Sequence, residues 1–138
     1  MADTPQPAFD LTDMYVHLED GGGASLIAVA EDFWARIGER TDLQAGRLVT
    51  SHRMTDDWPV WEMHPAGEEL VVLLSGSVDL FLQKAGEEAR SVSLRGRGAF
   101  LIPRGTWHTA HVYAPSLMLF VTAGAGTEHR PSEVRRSG

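Results

Sequence analysis

From residue 47 onward the chain is a succession of short strand-like segments separated by turn residues. Each segment is rich in β-branched, aliphatic or aromatic side chains, and glycine, proline or charged residues separate it from the next. The predicted strands are residues 47–55, 59–64, 68–74, 77–83, 89–94, 98–103, 107–113 and 116–122. Short strands at such regular spacing are typical of a sandwich or barrel, so we expect an all-β fold.

The first third of the chain is less uniform. Residues 14–18 and 24–30 are strand candidates, although the composition of the second is also compatible with a helix. Residues 31–40, EDFWARIGER, have Phe33 and Ile37 four positions apart on one side, acidic residues at the start and arginine toward the end. The sequence therefore predicts one short N-terminal helix in front of the β-structure.

The length and the composition define the domain organisation. A chain of 138 residues with 43% hydrophobic content can bury one core, and a second domain is not expected. We expect residues 1–12 to form a flexible arm, residues 13–124 a single β-barrel domain, and residues 125–138 a polar tail over the surface.

Charge and cysteine content exclude several classes of function. The net charge of −7, from 19 acidic and 12 basic residues, argues against a nucleic-acid or anionic-membrane partner, because phosphate binding needs clustered cations. The absence of cysteine excludes disulfides, thiol nucleophiles and Cys-ligated metals. The longest apolar run, residues 70–74, is far too short to span a bilayer, and the N-terminus lacks a secretion signal, so we expect a cytoplasmic protein.

Side chains that can bind a metal are concentrated in residues 61–78, WEMHPAGEELVVLLSGSV, directly before an apolar run. The two-residue period of a strand places Glu62 and His64 on the same face. In the next segment Glu68 and Glu69 point to opposite faces, so only one of them can point inward. Alternation alone leaves open which of the two it is.

This stretch resembles the first motif of the cupin family, G-x5-H-x-H-x(3,4)-E-x6-G. The second histidine of the motif falls on His64, the glutamate on Glu69 and the last glycine on Gly76. The position of the first histidine is occupied by Glu62, and the opening glycine has no counterpart at the expected spacing. The resemblance implies that Glu69 is the inward residue and that Glu68 is an ordinary exposed charge.

The second cupin motif, G-x5-P-x-G-x2-H-x3-N, resembles GRGAFLIPRGTWHTAHV. Pro103, Gly105 and His108 fit P-x-G-x2-H, whereas Gly96 is one residue too far away and Val112 replaces the usual asparagine. Both motifs in order, over about residues 47–122, imply a cupin-type double-stranded β-helix, or jelly-roll barrel.

The resemblance also implies a metal site inside the barrel. Its ligands would be Glu62, His64, Glu69 and His108, a set of two imidazoles and two carboxylates that suits Mn²⁺, Fe²⁺ or Zn²⁺. A closed β-structure brings side chains from separate strands to a common interior, where a cation compensates carboxylates that would be costly to bury alone.

Two residues are candidates for contact with a substrate. His52 shares a face with inward apolar residues of its strand and could line the cavity, although a buried structural imidazole is an equal alternative. Arg104 lies in the turn before His108 and could bind an anionic ligand, or it could be a solvated turn residue. The remaining aromatic and imidazole side chains are expected to be structural, packed or exposed: His17, His111, His129, Trp58, Trp61 and Trp107.

These features are compatible with three functions. The first is a metal-dependent enzyme that acts on a small oxygen-rich metabolite as a dioxygenase, isomerase or decarboxylase. The alternative is a non-catalytic binding module for a sugar or organic acid, with or without metal. The third is a dimeric scaffold whose barrel is filled by side chains and whose strand SLMLFV pairs between subunits. The resemblance to cupins implies a homodimer for the first two as well.

Overall fold

The computed structural model describes residues 7–132, and antiparallel strands form most of that part of the chain. The strands are β1 Met14–Leu18, β2 Ala24–Ala28, β3 Arg47–Met54, β4 Val60–Met63, β5 Glu69–Gln83, β6 Arg90–Arg95, β7 Ala99–Ile102, β8 Trp107–Thr122 and β9 Glu128–Pro131. Two short 3-10 helices, Ile37–Glu39 and Thr41–Leu43, lie between β2 and β3. The predicted all-β class is confirmed.

The long strands β5 and β8 pair with each other along their whole length and belong to two sheets. In the first sheet the order is β2-β1-β3-β8-β5-β7, with the C-terminal half of β8 and the N-terminal half of β5. In the second sheet the order is β6-β5-β8-β4-β9, with the other half of each long strand. Two antiparallel sheets joined through shared strands give the predicted cupin-type jelly roll.

The predicted breaks inside β5 and β8 are bends and not chain reversals. Pairing between the two strands shifts register between Leu73 and Val78, and Gly76 at the centre of this bulge has a φ of 106°. A Cβ atom on Gly76 would lie 2.1 Å from the Oγ atom of Ser116. The Ser-Gly-Ser sequence therefore bends one continuous strand from the first sheet into the second.

The predicted N-terminal helix over residues 31–40 is wrong. The segment consists of turns followed by a 3-10 helix of three residues. Ten residues interrupted by Gly38 are too few for a helix that is not held by packing along its length. The apolar side chains Phe33 and Ile37 reach a small core with Tyr15 and Leu43 from this irregular backbone.

The main core lies between the two sheets. Its fully buried side chains come mostly from β5 and β8, with Leu94 and Ile102 contributed by the neighbouring strands. The inward residues of the two long strands are Val71, Leu73, Val78, Leu80, Leu82, Ala110, Val112, Met118 and Phe120. Burial of this set stabilises the sandwich and fixes which side of each strand faces inward.

The chain after β8 contributes a strand where the sequence predicts a surface tail. Residues 128–131, within the predicted tail 125–138, form β9 and pair with β4. Residues 1–6 and 133–138, the outer parts of the predicted arm and tail, lie outside the described residues. Within residues 7–132, no helix has the length and apolar character needed to cross a membrane.

Candidate metal centre

Glu69 is the inward member of the glutamate pair. It starts β5 in phase with Val71 and Leu73, and it is 4% exposed, whereas Glu68 is exposed. One oxygen of the Glu69 carboxylate accepts a hydrogen bond from the hydroxyl of Thr122 on β8. A carboxylate is thereby fixed at the end of the main core, where it needs positive charge or donors.

The strand register brings the two histidines to the same place. Glu62 on β4 is the cross-strand partner of His108 on β8, so both side chains lie on the inner face of the second sheet. His64 follows β4 directly, and its carbonyl accepts a hydrogen bond of 3.1 Å from the backbone N–H of Gly105. This contact holds the turn before His108 against the end of β4.

The four predicted ligands form one cluster. The Nε2 atom of His64 lies 3.3 Å from Oε2 of Glu69 and 3.7 Å from Oε2 of Glu62, and Nε2 of His108 lies 3.2 Å from Oε1 of Glu69. Glu62, His64 and His108 each have one ligand atom within 4.8 Å of those of the other two. Ligands about 2.1 Å from one ion are separated by roughly 3.0 Å at an octahedral edge and roughly 3.4 Å at a tetrahedral edge. The two contacts of Glu69, one oxygen to each histidine, fall in this range, whereas the 3.7 Å between Nε2 of His64 and Oε2 of Glu62 is longer.

Hydrogen bonds at the far side of each ring fix the tautomers. The Nδ1 atom of His108 lies 3.1 Å from the carbonyl oxygen of Thr106, which can only accept, so Nδ1 is the donor. The hydroxyl of Thr127 donates to the carbonyl of Gly124 and therefore accepts from Nδ1 of His64, at 2.8 Å. In the neutral form, each histidine consequently directs the lone pair of Nε2 toward the carboxylates.

This arrangement leaves three buried atoms without an aligned hydrogen bond. Nε2 of His64, Nε2 of His108 and Oε1 of Glu69 have no hydrogen-bond partner among residues 7–132. Three converging acceptors repel one another unless a cation or protons lie between them. The donor set, two imidazole nitrogens and carboxylate oxygens, fits a divalent transition metal.

The electrostatics of the cluster favour a charged Glu69. Burial alone would raise the pKa of Glu69, but His108 and His64 outweigh burial and lower the pKa to about 2. Burial lowers the pKa of His108, yet the adjacent Glu69 raises it more, so the net pKa lies above the ordinary value. Protons and cations therefore compete for the same Nε2 atom.

The cluster lies at one end of a cavity of about 920 Å³ between the sheets and the segment before β3. The cavity is lined by side chains of Glu62, His64 and Glu69 at that end and by many apolar side chains elsewhere. Such a volume contradicts the expectation of a barrel filled by side chains. The SLMLFV segment also has both edges paired, with β3 and β5, so it cannot pair with a second subunit.

The two predicted substrate-contact residues have different positions. His52 lines the cavity, and burial lowers its pKa despite the opposing influence of Glu69. Arg104 is exposed in its turn and is absent from the cavity lining, so its predicted contact with an anionic ligand has no support from the geometry. A turn residue whose side chain can remain hydrated has no reason to point into the barrel.

Two residues of the site have no counterpart in the sequence prediction. His129, predicted to be structural or exposed, is the cross-strand partner of Glu62 through the β4–β9 pair, and its Nε2 lies 3.4 Å from Oε1 of Glu62. Thr127, which receives the hydrogen bond of His64, was not a candidate. Neither lies in a recognised motif, and only the pairing of β9 brings them to the cluster.

No family model matches the chain, and no curated protein matches it. A hydroquinone 1,2-dioxygenase from Sphingomonas sp. TTNP3 with 4-hydroxybenzoate is similar over 57% of this chain and 60% of its own, with 20% identity and a TM-score of 0.48. An oxalate oxidase with glycolate is similar over 60% of this chain and 44% of its own, with 18% identity and a TM-score of 0.49. A cupin-2 domain containing protein from Shewanella frigidimarina NCIMB 400 is similar over 54% of this chain and 68% of its own, with 15% identity and a TM-score of 0.44.

The chain thus spans less than two thirds of the length of the first two structures. Likenesses of this extent carry no information on substrate or reaction. The strand topology and the interior cluster of the chain itself define a cupin-type jelly-roll barrel that contains a group of histidines and glutamates.

Proposed function

We propose that this protein binds one divalent metal ion, Mn²⁺, Fe²⁺ or Zn²⁺, through Glu62, His64, Glu69 and His108. The observation that carries the proposal is the convergence of three buried acceptor atoms, the Nε2 atoms of both histidines and Oε1 of Glu69, with no aligned donor among residues 7–132. A cation at their centre would turn this repulsion into coordination.

The composition of the ligand set limits the choice of ion. Imidazole nitrogen suits Zn and Fe, and the second carboxylate, in place of a third histidine, shifts preference toward harder ions such as Mn. The outer hydrogen bonds from His64 to Thr127 and from His108 to Thr106 orient both rings, as the outer partners of metal-bound histidines do.

We propose further that the protein is an enzyme of the dioxygenase, isomerase or decarboxylase type, acting on a small molecule that presents oxygen atoms to the cluster. The bound ion would supply Lewis-acid chemistry or oxygen activation. Glu62 is the more accessible of the two carboxylates that line the cavity, since its side chain is 31% exposed while that of Glu69 is 5% exposed. Glu62 is therefore the carboxylate positioned to accept a proton from a bound molecule.

The decisive experiment is the metal content of protein purified without a tag. Elemental analysis should show close to one Mn, Fe or Zn per chain, and calorimetry on chelator-treated protein should show one binding site for Mn²⁺. His108→Ala should abolish this binding. His17→Ala should retain it, because His17 is a buried histidine of β1 that contacts the carbonyl of Ala45 and is not one of the proposed ligands. Absence of metal and of Mn²⁺ binding in the folded wild-type protein would contradict the proposal.

We also propose that the chain forms a homodimer through the outer face of the first sheet. Alternate residues of β5, β7 and the C-terminal half of β8 place aliphatic side chains there, and Leu74 and Leu101 are 40% and 59% exposed. Covering such a surface is favourable because it removes apolar area from water. Light scattering tests the mass, and Leu101→Lys should shift a dimer toward monomer.

A further inference from the structure

We propose that the cavity beside the metal cluster takes a neutral, mainly apolar ligand of aromatic size, with its oxygen atoms directed at the cluster, and does not take a small polyanion. This inference rests on the proposed function for the cluster end of the cavity. It narrows the ligand class and replaces the expectation of a small oxygen-rich metabolite.

Aromatic rings follow one another along the cavity wall from the outside to the cluster. Trp34 is 49% exposed, and its ring centroid lies 5.5 Å from that of His52. His52 lies 5.6 Å from Phe120, and Phe120 lies 5.8 Å from Trp58. Trp58 in turn lies 6.4 Å from the ring of His108. A flat apolar molecule can contact this succession of rings while one end reaches the cluster.

Aliphatic side chains complete the wall. Ile37 and Leu43 come from the irregular segment before β3, and Leu48 and Met54 come from the inward face of β3 itself. Most ligand pockets are predominantly apolar, with few polar groups that fix orientation. Here the ionisable groups at the cluster end are three predicted ligands and His129, so a ligand would be oriented with its polar atoms there.

The charge of the lining disfavours anions. Neither lysine nor arginine is among the described residues that line the cavity, and its two carboxylates are Glu62 and Glu69. Burial lowers the pKa of His52 and so disfavours a positive charge on its ring. A divalent ion would neutralise the two carboxylates, and a dianionic ligand would then find no further cation to balance its charge.

The volume of the cavity also favours a ligand with one or two rings over a small acid. About 920 Å³ lies at the upper end of the range for drug-sized ligands, which is roughly 300 to 1,000 Å³. A two- or three-carbon acid bound at the cluster would leave the rings from Trp34 to Trp58 in contact with water. A molecule with one or two rings would cover them and gain affinity from the apolar area buried.

The test uses three probes. The first is N-phenyl-1-naphthylamine, a neutral apolar dye whose fluorescence increases when it leaves water, titrated into metal-free protein. The second is catechol, a neutral ring with two adjacent oxygens, and the third is oxalate, a small dianion. Each is added to Mn²⁺-loaded protein that carries the bound dye, and the loss of dye fluorescence measures its displacement. We expect saturable binding of one dye per chain and displacement by catechol at concentrations at least tenfold below those needed for oxalate.

Matched tryptophan variants locate the binding. Trp34→Ala should weaken dye binding about tenfold, because it removes a ring from the wall. Trp107→Ala should leave it unchanged, because Trp107 packs against Arg130 on the outer face of the second sheet and is absent from the cavity lining. Circular dichroism of both variants confirms that the fold is retained, and the comparison of catechol with oxalate needs no variant.

The outcomes separate this inference from the metal proposal. Mn²⁺ binding together with preferential displacement by oxalate, or without any dye binding, would overturn the apolar ligand class and leave the metal site standing. Dye binding that Trp34→Ala weakens, in a protein that takes up no Mn²⁺, would support the apolar cavity and overturn the metal proposal. Equal weakening by Trp34→Ala and Trp107→Ala would place the dye outside the cavity and count against the inference.

Discussion

Glu62 and His129 face each other across the β4–β9 pair, with 3.4 Å between Oε1 of the glutamate and Nε2 of the histidine. The other carboxylate oxygen of Glu62 lies 3.7 Å from Nε2 of His64. Glu62 therefore connects the buried cluster to an imidazole whose side chain is 53% exposed. Where the cupin motif has a histidine in this position, the present chain has a carboxylate and a histidine on the adjacent strand.

We predict that His129→Asn weakens Mn²⁺ binding by about tenfold, because outer partners of metal ligands contribute roughly 10- to 100-fold and this one is half exposed. Calorimetric titration of chelator-treated protein measures the change. If His129 acts by orienting Glu62, the substitution should have little further effect in a Glu62→Gln background. An equal loss in both backgrounds would show that His129 acts independently of Glu62.

Glu69→Gln should abolish metal binding. The substitution keeps the shape of the side chain but replaces a carboxylate oxygen with an amide that can donate to a neutral histidine Nε2. We expect metal content to fall by more than tenfold in elemental analysis. In alkaline solution, where His108 has lost its proton and no longer forms an ion pair with Glu69, the thermal midpoint of the metal-free variant should equal or exceed that of the metal-free wild type.

Glu68→Gln is the matched control for this substitution, because Glu68 is adjacent in sequence but exposed. It should retain the wild-type metal content and thermal midpoint. Equal effects of the two substitutions would mean that net charge, and not coordination, controls metal uptake.

The strands and the inner site were accessible from the sequence because they follow local rules. The two-residue period assigns inward and outward faces, and the motif spacing selects Glu69 over Glu68, which the burial of the two residues bears out. The sequence predicts a turn where β5 only bends, because a Ser-Gly-Ser sequence has the same composition in a bulge as in a hairpin.

The contributions from β9 could not be predicted in the same way. The segment TEHRP is polar and short, and its strand exists only because β4 offers an edge to pair with. Thr127 and His129 reach the cluster through that pairing. The helix predicted for residues 31–40 is wrong for a related reason. The backbone conformation of this segment is determined by the tertiary contacts of Phe33 and Ile37 and not by local helix propensity.

Thr127→Val should weaken Mn²⁺ binding by about tenfold with little change in fold, because the side chains have similar shape and only the hydroxyl is lost. Nδ1 of His64 then loses its acceptor at 2.8 Å, so the tautomer that presents Nε2 to the metal is less favoured. Thr127→Ser keeps the hydroxyl and should restore binding to near the wild-type affinity. Failure of Thr127→Ser to restore binding would show that the methyl group, and not the hydrogen bond, matters.

Gly76→Ala should destabilise the fold by about 3 kcal/mol or more in urea unfolding. Its φ of 106° disfavours any side chain, and the added Cβ would lie 2.1 Å from Oγ of Ser116 in the neighbouring strand. Gly86→Ala is the control, since its φ of 78° is strained but nothing lies within 4 Å of the added Cβ. It should cost only about 1 kcal/mol, and equal costs would mean that the contact with Ser116 is relieved by movement.

The metal-free protein should be most stable in mildly acidic solution. The folded-state pKa of His108 lies above its ordinary 6.5, because Glu69 raises it more than burial lowers it. The protonated His108 therefore stabilises the fold below pH 6.5, and this contribution is lost as pH rises through the folded-state pKa. The pKa of Glu69 is lowered from 4.5 to about 2, so its contribution is present above pH 4.5 and lost as pH falls toward about 2. Both shifts describe one ion pair, which is counted once.

Urea unfolding of chelator-treated protein between pH 3 and pH 9 should thus show its highest midpoint between about pH 4.5 and 6.5. Saturating Mn²⁺ should remove the decrease on the alkaline side, because the ion replaces the proton on Nε2 of His108. Glu69→Gln, which lacks the carboxylate partner, is the reference from which the titration of all other groups is read. Parallel pH profiles for wild type and Glu69→Gln, or an alkaline decrease that Mn²⁺ leaves unchanged, would show that protons and metal do not share this site.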